Sequence, residues 1–137
     1  MSYELVPTAP SLAEYLALRA NAGLSVKTEA QARGALAHSW AFCHVRDAAG
    51  HAVAMGRTLG DGGWYFHIAD MATDPAHQRR GLGRQVLDWL VAQIDERAPP
   101  GAYISLLADE PGQPLYRAAG FVPTASLGMV LRRDRVT

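Results

Sequence analysis

The sequence predicts one mixed α/β domain over residues 1–137, with a mostly antiparallel sheet of about six or seven strands, a central parallel pair, and about four flanking helices. Three observations predict this class. Two helix-capping patterns occur in the N-terminal part of the chain. Three strand-like segments separated by glycine-containing turns follow between residues 40 and 73. A strand–helix–strand passage then runs from residue 64 to 108, and such a crossover makes its two strands parallel.

The N-terminal part is predicted to form a short strand, at residues 3–6, and two helices. Ser11 with Glu14, and Thr28 with Gln31, have the spacing of a capping box, in which two side chains satisfy free amides of the first helical turn. The second helix is expected to end near residue 39. The apolar face of the first helix consists of Leu12, Tyr15, Leu16 and Ala20.

The middle of the chain is predicted to form three consecutive strands, at residues 40–47, 51–59 and 64–73, because turn residues separate them. The helix that follows has the clearest amphipathic pattern and is expected to end near residue 98, ahead of two prolines. Its apolar stripe consists of Val86, Leu87, Leu90, Val91 and Ile94.

The C-terminal part begins with a nearly continuous apolar run at residues 102–108, which predicts a strand covered on both faces. A short helix is expected from residue 112 to 119, because Gly120 follows it. Residues 121–122 and 129–132 are predicted to be the final strands of the sheet.

Composition indicates a soluble globular protein, with 49% hydrophobic residues, 19% charged residues and a formal net charge of zero. Such a chain has no general attraction to nucleic acid or to a membrane, and no apolar run approaches the ~20 residues of a membrane span. The first residues lack a signal-peptide pattern, so we expect a cytoplasmic protein, as a monomer or a homodimer. The single cysteine, Cys43, excludes an internal disulfide and is interpreted as a small buried hydrophobic residue.

The turn at residues 74–84 indicates a site for phosphate groups. It joins a predicted strand to the amphipathic helix and is rich in glycine and arginine. The first amides of a helix have no helical partner, and the helix dipole places partial positive charge beside them. Gly81 and Gly83 allow an anion to approach the backbone closely.

Two common nucleotide-binding patterns do not fit this turn. The phosphate loop of NTPases requires a glycine-lysine-serine or glycine-lysine-threonine sequence, which is absent. The dinucleotide fingerprint requires a third glycine where this chain has Val86, and an acidic partner about 20 residues later is poorly placed.

Three segments carry a family resemblance. Residues 78–83, Gln-Arg-Arg-Gly-Leu-Gly, resemble the Q/R-x-x-G-x-G/A signature of the GNAT N-acetyltransferase superfamily. Residues 71–75, Met-Ala-Thr-Asp-Pro, resemble the L-A-V-D-P segment before that signature, and residues 115–121, Leu-Tyr-Arg-Ala-Ala-Gly-Phe, resemble the later L-Y-x-x-x-G-F. The resemblance extends from about Gly56 to Phe121 and implies a GNAT-like fold with acetyl-CoA as co-substrate.

The resemblance also implies which residues bind CoA. The turn amides would hold the pyrophosphate, the strand before them would pair with pantetheine, and the Met71 amide would stabilise the developing oxyanion. Asp109 stands where the family usually has an asparagine, so an amide donor to pantetheine is lost. The implied CoA-binding set is Met71, Ala72, Thr73, Gln78, Arg79, Arg80, Gly81, Leu82, Gly83, Arg84, Asp109 and Tyr116.

Two residues are implied to be catalytic. Tyr116 matches the tyrosine that protonates the departing thiolate. His67 matches the position of the base in other branches, and its ordinary pKa suits removal of a proton from an amine. Asp70 is an alternative, and a water relay is another; strict alternation places His67 and Asp70 on opposite faces of the strand unless a bulge intervenes.

The acceptor site is predicted less directly. Tyr15 and Arg19 on the first helix, together with Asp70, are candidates to contact the acceptor. The aromatic residues Trp40, Trp64 and Tyr65 are interpreted as core or as the wall of a cleft. No metal site is predicted, because the other histidines lack ligand spacing: His38, His44, His51 and His77.

The predicted function is transfer of acetyl from acetyl-CoA to a primary amine by direct attack in a ternary complex. A small-molecule acceptor is preferred, since an acceptor on a protein needs an open groove. Acetylation of a protein or peptide, and a CoA-binding sensor without turnover, remain the alternatives.

Overall fold

The computed structural model describes residues 2–133. The chain divides into two compact units, the first ending at Leu106 and the second beginning at Leu107. The first unit contains β1 (Glu4–Val6), α1 (Leu12–Asn21), α2 (Glu29–His38), β2 (Ala41–Arg46), β3 (Ala52–Gly60), β4 (Tyr65–Thr73), a 3₁₀ helix (Pro75–His77), α3 (Leu82–Arg97) and β5 (Tyr103–Leu106). The second unit contains a 3₁₀ helix (Glu110–Gly112) and α4 (Gln113–Ala118). Within residues 2–133, no helix is long and apolar enough to cross a membrane.

Both predicted capping boxes are confirmed. The Ser11 hydroxyl accepts from the Glu14 amide at 3.2 Å, and the Glu14 carboxylate accepts from the Ser11 amide at 3.0 Å. Thr28 and Gln31 make the same reciprocal pair at 3.1 and 3.0 Å. Each pair satisfies amides that the helix itself leaves without an acceptor, which is why both helices begin where the sequence predicts.

The sheet has five strands in the order β1-β2-β3-β4-β5, antiparallel from β1 to β4 and parallel between β4 and β5. Helices α1 and α2 cover one face. Helix α3 covers the other and buries its predicted stripe, with Val91 only partly covered. The core on the α1 and α2 face consists of Tyr15, Leu18, Ala32, Phe42, Met55 and Ala72.

Three expectations about the C-terminal strands are wrong for the described residues. The parallel pair lies at the edge of the sheet rather than at its centre, because no strand is found beyond β5 up to residue 133. Residues 121–122 and 129–132 form no strand, and their apolar side chains, such as Val122 and Leu131, are exposed. An apolar pattern stabilises a strand only when a neighbouring strand satisfies its backbone. Strand β5 is also not covered on both faces, since Tyr103 is exposed and its other residues are only partly buried.

Gly56 permits the close packing of α3 on the sheet. A Cβ added there would lie 2.5 Å from Met71 Sδ and 2.8 Å from Val86 Cγ1. We therefore expect Gly56→Ala to lower the free energy of unfolding by about 1–3 kcal/mol, the usual effect of overpacking. Urea denaturation followed by circular dichroism measures this change.

A matched control lies in α2. A Cβ added at Gly34 meets no atom within 4 Å, and alanine stabilises a helix interior relative to glycine by about 1 kcal/mol. Gly34→Ala is therefore expected to raise the free energy of unfolding. A Gly56→Ala variant as stable as the parent would contradict the packing argument.

Candidate active site

The turn that joins β4 to α3 has an irregular backbone that is fixed by local hydrogen bonds. The Asp74 carboxylate accepts from the Ala76 amide at 2.9 Å, and the Asp74 carbonyl accepts from the His77 amide at 2.8 Å. Arg79 and Gly81 then adopt left-handed conformations with φ of 64° and 77°. These two positions reverse the chain, so that α3 begins immediately at Leu82.

The first amides of α3 are free to bind a ligand. The first helical hydrogen bond runs from the Gln85 amide to the Gly81 carbonyl at 3.0 Å. The amides of residues 81–84 donate to no group in the described part of the chain. With the helix dipole, such a row of donors favours an anion. The Arg79 and Arg80 side chains are exposed beside it, whereas Arg84 is paired with Asp88 at 2.8 Å.

Strand β4 contains a bulge opposite Gly56. Met55 pairs with Ala72 and Arg57 pairs with Ala69, so Gly56 faces two residues, Asp70 and Met71. Asp70 has a φ of 54°, a left-handed conformation that costs a non-glycine residue roughly 1–2 kcal/mol. A bulge redirects side chains, and this one brings Asp70 into contact with Arg57.

Asp70 is the centre of a buried polar cluster. Its carboxylate accepts from the Tyr15 hydroxyl at 2.5 Å and from Arg57 Nε at 2.6 Å, and it is paired with Arg19 Nη1. Burial alone would raise the pKa of Asp70, but the hydrogen bonds from Tyr15 and Arg57 and the arginine charges outweigh it and lower the pKa. One carboxylate therefore neutralises only one of the two arginines. We call these four residues the Asp70 cluster.

His67 lies on the same face of the sheet as Arg57. The register pairs Leu59 with His67 and Arg57 with Ala69, two residues apart on each strand. His67 Nδ1 lies 3.0 Å from the Ser105 hydroxyl, and that hydroxyl lies 3.4 Å from the Phe66 carbonyl. Burial, and after it the charge of Arg57, lower the pKa of His67 below its usual value. His67 is therefore neutral at neutral pH.

The second unit contains Tyr116 on α4. Burial, and after it the charge of Asp109, raise the pKa of the Tyr116 hydroxyl, so it keeps its proton at neutral pH. Its ring lies 6.2 Å from that of Phe121 in an edge-to-face arrangement. The Tyr116 ring also packs closely against the backbone at Gly112, where an added Cβ would lie 2.9 Å from the ring.

A comparison with protein families identifies the fold. The sequence model of the acetyltransferase (GNAT) domain matches residues 39–123, which include β4, the free amides of α3 and α4. The chain belongs to the GNAT acetyltransferase family. This confirms the resemblance on which the site residues were predicted, and the co-substrate of GNAT acetyltransferases is acetyl-CoA.

Individual relatives agree with this membership. Serotonin N-acetyltransferase 2, a chloroplastic protein of Oryza sativa subsp. japonica, is 36% identical over 121 residues, which are 85% of this chain. The match spans 60% of the length of the rice protein.

Solved structures give the same fold. A protein of unknown function from meticillin-resistant Staphylococcus aureus, described as a probable acetyltransferase, is 32% identical with a TM-score of 0.90. The match covers 96% of this chain and 99% of that one. Glucosamine-6-phosphate N-acetyltransferase of Arabidopsis thaliana has a TM-score of 0.76 at 15% identity, over 98% of this chain and 100% of that one, and shows the fold alone.

The structure brings some of the predicted residues of this GNAT protein together. Three residues were predicted to contact the acceptor, and in the structure Tyr15 and Arg19 both bind the Asp70 carboxylate. The bulge places Asp70 beside Arg57, on the face that carries His67, so strict alternation does not hold here. Cys43 is buried, as predicted, and burial raises the pKa of its thiol to about 12. It is therefore not a nucleophile at neutral pH.

Two partners in this GNAT site were not predicted. Arg57 contacts Asp70 and influences His67, and Ser105 contacts His67 directly. Each is a polar residue in a mostly apolar strand, which is the signal that marks it in the sequence. Their partners depend on the strand register, which the sequence does not give.

Proposed function

We propose that this GNAT acetyltransferase transfers acetyl from acetyl-CoA to the primary amine of a small molecule, by direct attack in a ternary complex. The observation that carries the proposal is the arrangement along β4. This strand bears His67 with no hydrogen-bond partner on Nε2 among residues 2–133, and it leads into the free amides of α3.

The turn fits the phosphates of CoA. The amides of residues 81–84 are donors without acceptors in the described residues, and Arg79 and Arg80 add positive charge. The backbone of residues 71–73 would contact pantetheine, with the Met71 amide near the reacting carbonyl. Acetyl-CoA supplies an acetyl group that is activated as a thioester.

His67 is proposed to be the base. A serine hydroxyl has one hydrogen, and donation to the Phe66 carbonyl leaves the Ser105 oxygen as the acceptor for His67 Nδ1–H. This tautomer leaves Nε2 unprotonated, as a base requires. The lowered pKa of His67 keeps the ring neutral at pH 7.

Tyr116 is proposed to be the acid that protonates the departing thiolate. As the amine nitrogen bonds to the acetyl carbon and the carbon–sulfur bond breaks, the amine proton goes to His67 Nε2, directly or through water. The Tyr116 hydroxyl, which holds its proton because its pKa is raised, protonates the sulfur. No protein residue carries the acetyl group, which agrees with the buried Cys43 thiol.

The acceptor is proposed to be an arylalkylamine. The rice relative is named for serotonin, an amine of this class, and 85% of this chain matches it.

The test is thiol release from acetyl-CoA across arylalkylamines, polyamines, amino acids, aminosugars and a peptide mixture. We expect the highest kcat/KM with an arylalkylamine. Higher rates with peptides would favour a protein acceptor, and tight CoA binding without transfer to any amine would indicate a sensor.

Tyr116→Phe removes the proposed acid and keeps the ring. We expect kcat to fall about 100-fold or more, the lower range for a general acid, with little change in KM for acetyl-CoA. Steady-state kinetics measure both constants. A variant with the kcat of the parent would exclude Tyr116 as the acid.

A further inference from the structure

The first unit exposes a cluster of large apolar side chains at one end of the sheet. Within the described residues of that unit, five large apolar residues are exposed, and all but Val26 lie at the adjoining ends of β3, β4 and β5. Exposed apolar clusters mark binding surfaces more often than scattered residues do. We call this cluster the aromatic patch; it consists of Leu59, Trp64, Tyr65 and Tyr103.

Two tyrosines form the centre of the aromatic patch. Tyr65 and Tyr103 are paired across β4 and β5, with ring centroids 5.3 Å apart and planes tilted by 48°. Trp64 meets Tyr65 edge-to-face at 5.2 Å. The two tyrosine residues remain 46% and 45% exposed. Their rings support one another and still present apolar surface to a ligand.

The aromatic patch is in register with the proposed base. The His67–Ser105 pair follows the Tyr65–Tyr103 pair two residues along β4 and β5. It lies on the same face of the sheet, since side chains alternate along a strand. On the opposite edge of β4, Leu59 of β3 pairs with His67. Two residues along a strand span about 6.6 Å.

We propose that the aromatic patch binds the ring of an arylalkylamine acceptor and that Tyr65 and Tyr103 determine the specificity for aromatic amines. This inference rests on the proposed function. The ring stacks on the two tyrosines, and the amine extends along β4 to His67 Nε2. A purely structural role does not require both rings to be half exposed at the edge of the sheet.

The experiment compares an aromatic and an aliphatic amine. Tryptamine and hexylamine are acetylated by the parent and by Tyr103→Ala, and kcat/KM is measured for each. Loss of one stacking ring is expected to lower kcat/KM for tryptamine about tenfold and to change that for hexylamine less than about twofold. Tyr103→Phe, which restores the ring, is expected to restore the preference for tryptamine. Val26→Ala, a change at an exposed apolar residue outside the patch, controls for general effects.

The other outcomes overturn the inference. An equal loss for both amines would show that Tyr103 acts through the structure of the sheet, and no loss for either would show that the ring binds elsewhere. If the parent acetylates no amine, the proposed function fails and this inference is tested separately. Calorimetry then measures phenylethylamine binding to the CoA-loaded protein, and equal affinity in parent and Tyr103→Ala would reject the aromatic patch as a ring site.

Discussion

Gly81→Trp is expected to abolish acetyl transfer in a protein that remains folded. A Cβ added at Gly81 meets no atom within 4 Å, so the protein can accommodate a side chain at this point. An indole there would occupy the space beside the free amides of residues 81–84. Because those amides are the proposed donors to the CoA phosphates, the KM for acetyl-CoA should exceed the measurable range.

The control is Gly81→Ala. Gly81 has a φ of 77°, so any side chain introduces backbone strain of roughly 1–2 kcal/mol. Alanine introduces this strain without the bulk, and we expect it to retain most CoA binding. Calorimetry with CoA and thermal unfolding separate the two effects. Unchanged CoA affinity in Gly81→Trp would show that the phosphates bind elsewhere.

The elements with local signals could be predicted from the sequence. Ser11 and Thr28 cap their helices through bonds three residues away, and α3 buries an apolar stripe that repeats every helical turn. These features depend on neighbours along the chain, so the sequence contains them. The resemblance to the GNAT family likewise rested on three short segments, residues 71–75, 78–83 and 115–121.

Features that depend on long-range pairing could not be predicted. The left-handed conformation of Asp70 arises from the bulge opposite Gly56, and Arg57 finds Asp70 only through that bulge. The segment at residues 129–132, which begins with three apolar residues, predicts a strand, but a strand forms there only with a partner strand that local sequence does not specify.

The Asp70 cluster links the N-terminal helix to the chemistry of β4. Tyr15 and Arg19 on α1 hold the carboxylate, which in turn holds Arg57. Two arginines, Arg19 buried and Arg57 partly buried, pair with one carboxylate and leave a positive balance on the face that carries His67. Burial lowers the pKa of His67, and the charge of Arg57 lowers it further, because positive charge disfavours a protonated imidazole. We expect the same charge to favour the neutral, nucleophilic form of a bound amine.

His67→Gln is expected to lower kcat/KM at pH 7 by about 10²–10⁴, the usual contribution of a general base. Glutamine keeps a polar side chain of similar reach but cannot take a proton at this pH. The pKa of His67 is lowered, so the parent retains its base through neutral pH and loses it only when the pH falls below that pKa. The variant has only free amine as nucleophile, and its rate should rise tenfold per pH unit until the acceptor is neutral.

The ratio of parent to variant kcat/KM should therefore shrink as the pH rises towards the pKa of the amine. A ratio that stays constant with pH would show that His67 has a structural role, and equal rates at pH 7 would exclude it as the base. The variant Ser105→Ala is expected to have a rate between those of the parent and His67→Gln. It removes the acceptor for His67 Nδ1–H and leaves the imidazole in place. We expect a loss of about tenfold, since second contacts of this kind tune orientation and basicity rather than supply the proton acceptor.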